Sequence, residues 1–215
     1  MRSLGTLGGS FSSASMGNAV GDIVGSSIVA GEPWTHGFLW TVTEGMIDLG
    51  TLNSAVESSA FGINRHRTIV GSAKFENREV HAVVWEGSRE IRDLGTLGGF
   101  SSQAFCINDP SQIVGWSETD EGFREPFVLK GIEMWGDLTG HRVLEKVPHA
   151  FFFDLAQGRM IDLNDCIDPE SGWVLLRALG IDNQGKILTE ALYQGTLRTC
   201  FLIPLSLTDT DANVK

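Results

Sequence analysis

Leu4-Gly5-Thr6-Leu7-Gly8-Gly9 returns as Leu94-Gly95-Thr96-Leu97-Gly98-Gly99, and midway stands Leu49-Gly50-Thr51-Leu52-Asn53-Ser54. The three words begin 45 residues apart. Other words keep the beat. Ile23-Val24-Gly25 is followed by Ile69-Val70-Gly71 and Ile113-Val114-Gly115, and His36-Gly37-Phe38-Leu39-Trp40 by His81-Ala82-Val83-Val84-Trp85 and His149-Ala150-Phe151-Phe152-Phe153. Self-similarity at a period of about 20–50 residues is the mark of a repeat architecture.

Each unit reads as four short strands. In the middle one, 59–63, 68–74, 81–85 and 89–94 are apolar or β-branched runs, separated by polar turns such as Asn64-Arg65-His66-Arg67 and Glu86-Gly87-Ser88. Strand-length runs between turn residues fit β structure, and no stretch sustains a period of 3.6. Four strands in about 45 residues is the size of one β-propeller blade. The expectation is therefore an all-β propeller, a single domain over 1–207, with the polar stretch 208–215 as a flexible tail. The third-strand word occurs five times, at His36, His81, Glu125, His149 and Thr199, so five blades are expected, the fourth abbreviated. The chain closes on a third strand, Arg198 to Ile203, and opens on a fourth, Met1 to Leu4. Pairing of the two would close the ring and remove exposed edges.

Composition narrows the partners. Of 215 residues 26 are Gly, well above the usual ~7%, as many turns require. The net charge is −11, with no basic run to offset it, which speaks against nucleic acid and anionic lipid. No apolar run reaches the ~18 residues of a membrane span. Cys106, Cys166 and Cys200 are widely spaced and outline neither a zinc site nor a disulfide framework. Met1 to Ser10 lacks the basic start and apolar stretch of a signal peptide.

His36 and Asp48 are 12 residues apart, as are His81 and Asp93, while His149 and Asp162 are 13 apart, each pair spanning a tight hairpin. Direct pairing of His36 with Asp48 would set Phe38 opposite Met46 and Trp40 opposite Glu44. Such a dyad could orient a general base. Its recurrence favours a cross-strand pair that pins register, because a catalytic group is needed once. Asn18, Asn64, Asn108 and Asp182 read as turn caps. Asn108-Asp109 and Asp182-Asn183 are too sparse for a calcium site, and neither metal nor cofactor is expected. Gly-Thr-Leu-Gly-Gly lacks the Gly-Lys-Ser/Thr ending of a P-loop.

Function is expected where the units differ. Trp116 stands where others have Ser26, Ser72 and Glu190. The loops between second and third strands carry Glu32 and Trp34, then Phe75, then Asp120 and Phe123, then Tyr193. Aromatic rings flanked by carboxylates suit sugar stacking and hydrogen bonding. The expected ligand residues are Trp34, Trp116, Phe123, Tyr193, Glu32 and Asp120, and the expected function is a non-catalytic module that binds a glycan or a protein. Two alternatives stand beside it. One is a polysaccharide hydrolase or lyase using carboxylates among Glu32, Glu57, Asp120, Glu121 and Glu190, about 5–9.5 Å apart. The other is a protein-docking scaffold.

The words His-Ala-Phe at 149–151, His-Gly-Phe at 36–38, Asp-Leu-Gly-Thr-Leu-Gly-Gly at 93–99 and Ile-Asn-Asp at 107–109 resemble those of the HAF-repeat family of bacterial proteins. Asp162-Leu163-Asn164, Ser171-Gly172-Trp173 and Gly180-Ile181-Asp182 resemble that family's C-terminal stretch. The resemblance implies a repeat β fold and an extracellular location. It implies no activity.

Overall fold

The computed structural model describes residues 3–87, 90–120 and 147–204. Their strands form four antiparallel sheets in chain order. Sheet 1 holds β1 (Gly8–Gly17), β2 (Ile23–Val29), β3 (Thr35–Thr41) and β4 (Gly45–Asp48). Sheet 2 holds β5 (Ala55–Ile63), β6 (Thr68–Phe75), β7 (Val80–Glu86) and β8 (Ile91–Gly95). Sheet 3 holds β9 (Gly98–Ile107), β10 (Gln112–Thr119), β11 (Pro148–Asp154) and β12 (Arg159–Asp162). Sheet 4 holds β13 (Trp173–Ile181), β14 (Ile187–Tyr193) and β15 (Thr196–Leu202). Two short 3-10 turns, Leu163–Cys166 and Pro169–Ser171, link sheets 3 and 4. No helix among the described residues is long and apolar enough to cross a membrane.

The core is divided among the junctions between consecutive sheets. Val24, Leu39 and Leu49 of the first unit pack on Ala60, Ile69, Val83 and Trp85 of the second. Val70, Ala82 and Val84 in turn meet Ala104, Ile113, Phe151 and Phe153. Val114 and Ala150 meet Leu175, Ala178, Ile187 and Ala191. Strand alternation causes this: one set of side chains faces the preceding sheet and the other faces the next. Trp85 is fully buried at the first junction and its Nε1 donates to the Leu49 carbonyl (3.0 Å).

The Gly of the Ile-Val-Gly word has a steric cause. A Cβ on Gly25, Gly71 or Gly115 would lie 1.9–2.0 Å from the carbonyl oxygen of Ser13, Ser59 or Gln103 on the neighbouring strand. The turn Asn residues also do more than cap. Oδ1 of Asn64 accepts from His66 and Thr68 N–H within its own turn (3.0 Å each), while Nδ2 donates across to the Asn108 carbonyl (3.1 Å). Asn18 donates likewise to the Asn64 carbonyl (3.1 Å), and Asn108 to the Asp182 carbonyl (2.9 Å). Sheet is thus tied to sheet by three hydrogen bonds that join four turns. Asp182 keeps the capping role toward Gln184 and Lys186 but has no amide to donate.

Three expectations need correction. First, β11 with His149 does not start a separate abbreviated unit. It pairs with β10 and completes sheet 3, placing Phe153 opposite Ile113 as Trp40 stands opposite Ile23 and Trp85 opposite Ile69. The described residues therefore form four sheets, and the word at Glu125 lies outside them. Second, the expected pairing of the two chain ends is not seen among the described residues. β15 pairs with β14, and Ser3–Thr6 forms no strand. The opening word is instead held on sheet 1, where Ser12 Oγ donates to the Gly5 carbonyl (2.8 Å) and Leu7 N–H to Ser27 Oγ (2.9 Å). Third, the β3–β4 register is shifted by two residues: Phe38 faces Asp48 and Trp40 faces Met46. The hairpin loop is Val42–Glu44 and the pair closing it is Thr41 with Gly45, which takes a positive φ of 75°. The Glu44 N–H is capped by Thr41 Oγ1 (3.0 Å).

Candidate functional site on the loop edge

The β2–β3 connections and the links between sheets meet at one edge of the structure. Ala30 N–H donates to the Leu7 carbonyl (3.1 Å), and isolated bridges join Leu7 to Val29 and Leu97 to Thr119. The three His–Asp pairs lie at this edge. Because of the register, each is a diagonal contact rather than a directly opposed one. His36 Nδ1 lies 3.0 and 3.1 Å from the Asp48 carboxylate oxygens, His81 Nδ1 2.7 Å from Asp93 Oδ2, and His149 Nδ1 2.5 Å from Asp162 Oδ2. A carboxylate only accepts, so Nδ1 carries the proton and Nε2 is left with a lone pair in the neutral ring. Each Asp also caps the backbone two residues on, accepting from Gly50, Gly95 or Asn164 N–H (2.7, 2.7 and 2.8 Å).

The charges follow from these bonds. The bond to Asp48 raises the His36 pKa against the opposing effect of burial. Burial pushes the Asp48 carboxyl up, but bonds from His36 and the Gly50 N–H outweigh it and hold the group below its ordinary value. Asp162 is held down in the same way by His149 and Asn164. In sheet 4 the equivalent position carries Arg198, opposite Ala191 as His36 is opposite Ser27, one residue before the Thr199 expected there.

The three imidazoles differ in what surrounds Nε2. In sheet 1 it lies 3.8 Å from Glu32 Oε2. In sheet 2 the His81 ring meets the Phe75 ring edge to face, centroids 5.1 Å apart. In sheet 3 His149 opens on a pocket of about 420 Å³. Counting from Ile69 and Ile113, Thr119 occupies the position of Phe75, so the ring that closes this space in sheet 2 is missing. The 3-10 turn after Asp162 brings Asn164 and Asp165 to the pocket wall, where sheets 1 and 2 run straight on through Leu-Gly-Thr-Leu.

Of the expected ligand residues, Trp34 is 42% exposed and Glu32 is exposed beside His36. Tyr193 is 37% exposed and packs on Trp173, ring centroids 4.6 Å apart. Asp120 is exposed and lines the His149 pocket. Phe123 and Glu121 lie outside the described residues. Trp116 is half-buried on β10 and donates to Gln103 Oε1 (3.2 Å), and Gln103 Nε2 donates to Ser72 Oγ (3.3 Å). That chain runs between sheets 3 and 2, away from the loop tips. Glu57 is paired with Lys74 (3.1 Å) and Glu190 with Arg177 (3.2 Å), so both carboxylates already have cationic partners. Trp173, Thr119, Arg159 and Asp165 were not singled out from the sequence. The available signals were Asp-Leu-Asn in place of Asp-Leu-Gly and Thr119 in the position of Phe75. No group of three or more His, Cys, Asp or Glu side chains among the described residues could hold a metal ion. The three cysteines are free.

No protein family, curated protein or solved structure matches the chain.

Proposed function

We propose that this chain is a non-catalytic glycan-binding module whose ligands dock along the loop edge, that its sheets are blades of a β-propeller, and that it belongs with the extracellular HAF-repeat proteins. Consecutive antiparallel sheets of three or four strands, each packed on the next, support the propeller reading. The family reading rests on the His-Ala-Phe and Asp-Leu-Gly-Thr-Leu-Gly-Gly words alone. The observation that carries the function is that one edge combines three equivalent His–Asp pairs with loops that differ from sheet to sheet. A constant frame with variable tips is how binding surfaces diversify on a rigid scaffold. Exposed aromatics at two of those loops, Trp34 and Tyr193, the latter packed on half-buried Trp173, offer rings for stacking on the apolar face of a sugar.

The test compares neutral glycans clustered on a surface with the same glycans free in solution. Several weak sites predict apparent affinity about 10²-fold or more higher on the clustered ligand. Trp34→Ala combined with Tyr193→Ala is expected to remove most of that gain while leaving the melting temperature nearly unchanged. Equal affinity for both presentations would sink the multivalent reading. Retention of a protein but of no glycan would replace it with the docking scaffold.

A further inference from the structure

We infer that the pocket beside His149 is the principal ligand site of the loop edge and takes a neutral, hydroxyl-rich group, one or two sugar rings in size. This rests on the glycan-binding reading above and narrows it to one sheet and one ligand class. At about 420 Å³ the pocket falls within the ~300–1,000 Å³ usual for small-ligand sites. Two departures from the other sheets shape it: Thr119 in place of the ring at Phe75, and the 3-10 turn that carries Asp165. The same His–Asp pair that is shielded by a phenyl ring in sheet 2 thus borders an open space in sheet 3.

The lining sets the chemistry. Asp162 accepts the hydrogen bond from His149 Nδ1–H, which leaves Nε2 of the neutral ring as an acceptor, and no hydrogen-bond partner is seen for it among the described residues. Asp120 and Asp165 add carboxylate acceptors, and Arg159 supplies donors. Leu97 and Met160 give apolar wall against which C–H groups can pack. Acceptors on several sides of a partly apolar space match hydroxyls projecting from a sugar ring. Three carboxylates at the wall, Asp120, Asp162 and Asp165, in a chain with net charge −11 repel uronates and phosphates.

The repeated pairs supply their own reporters. Imidazole resonances of the chain are followed by NMR during titration with maltose, cellobiose and lactose, and with glucuronate as the anionic counterpart. The expected result is that at least one neutral disaccharide shifts His149 first, filling this pocket at one ligand per chain before the weaker loop-edge sites are occupied. His36, His81 and the turn residue His66 stay in place over that range, and glucuronate has no effect. Asp165→Asn, at an exposed position, should weaken binding about tenfold, the size of one charge-assisted hydrogen bond. Thr119→Phe, which restores the sheet 2 residue, should abolish it. Thr119 is buried, so the Asp165 variant keeps the test valid if the larger ring disturbs folding. Equal shifts of His36, His81 and His149 would overturn the single-pocket inference and leave loop-edge binding intact. Glucuronate binding as tightly as the disaccharides would overturn the ligand class. No shift at any histidine would overturn the pocket, and retention on clustered glycans would then decide separately whether loop-edge binding survives.

Discussion

Short polar side chains at the ends of strands connect one element to another here. Asp48 accepts a hydrogen bond from the His36 ring and caps Gly50, and Asn64 caps its own turn while reaching the next sheet. The His–Asp pairs give stability a pH dependence whose sign can be worked out. His36 has its folded pKa raised above 6.5, so its contribution is complete below that value and is lost as pH rises through the raised one. Asp48 is depressed below 3.8, so its contribution is present above that value and is lost as pH falls through the lowered one. The pair therefore stabilises most in mildly acidic solution. Asp48 is 41% exposed, so solvent screening limits the effect to about 0.2–1 kcal/mol. Thermal melts of the wild type and His36→Gln should differ most in mildly acidic solution, and the difference should shrink as pH rises through the raised His36 pKa. A constant difference across that range would mean the imidazole acts by packing alone. The existence of these contacts was legible from spacing, because 12 residues span a hairpin. Their diagonal geometry was not, because it depends on the hairpin register, set in sheet 1 by a left-handed glycine at position 45.

At the scale of elements, β2, β6 and β10 show how closely the strands approach. The glycine in each lies under a carbonyl of the neighbouring strand, where any side chain would collide with backbone. In β6 that glycine is Gly71, in a sheet covered on both faces, so the strand cannot move aside. Gly71→Ala is expected to destabilise by about 3 kcal/mol or more, against the ~1–3 kcal/mol usual for overpacking. Denaturant unfolding with an unchanged m-value would check it, and a loss under 1 kcal/mol would show that β5 and β6 can separate. The recurrence of Ile-Val-Gly marked these strands in the sequence, but the reason for the glycine appears only when β1, β5 and β9 are beside them. The ownership of β11 was likewise illegible. His149 follows β10 by 30 residues, and spacing alone suggested a new unit. The pairing of Ile113 with Phe153, which buries a large ring at the same place as in sheets 1 and 2, assigns it to sheet 3.

In the molecule as a whole, stability is distributed unevenly along the stack. Sheet 2 has a sheet on either side, and Ile69, Val70, Val83, Val84 and Trp85 are fully buried. β15 has one strand neighbour among the described residues and leaves Phe201 63% exposed. Where contacts run mainly between neighbours, opening should begin at the outer sheet and end at the inner one. Amide hydrogen exchange is expected to be slowest in β6 and β7 and fastest in β15. Uniform protection across all four sheets would instead indicate one cooperative unit.

The sequence by itself determined the strands, the turns, the 45-residue beat and the presence of three His–Asp contacts. These depend on local spacing and turn chemistry, which neighbouring residues carry. Tertiary structure alone decided which strand completes sheet 3, the Asn links between turns 44–74 residues apart, and the pocket beside His149. Each of these depends on residues distant in the chain meeting at a junction between sheets. The pocket illustrates it best: Thr119 looks unremarkable in sequence, and only its placement beside His149 turns the lack of a ring into a space.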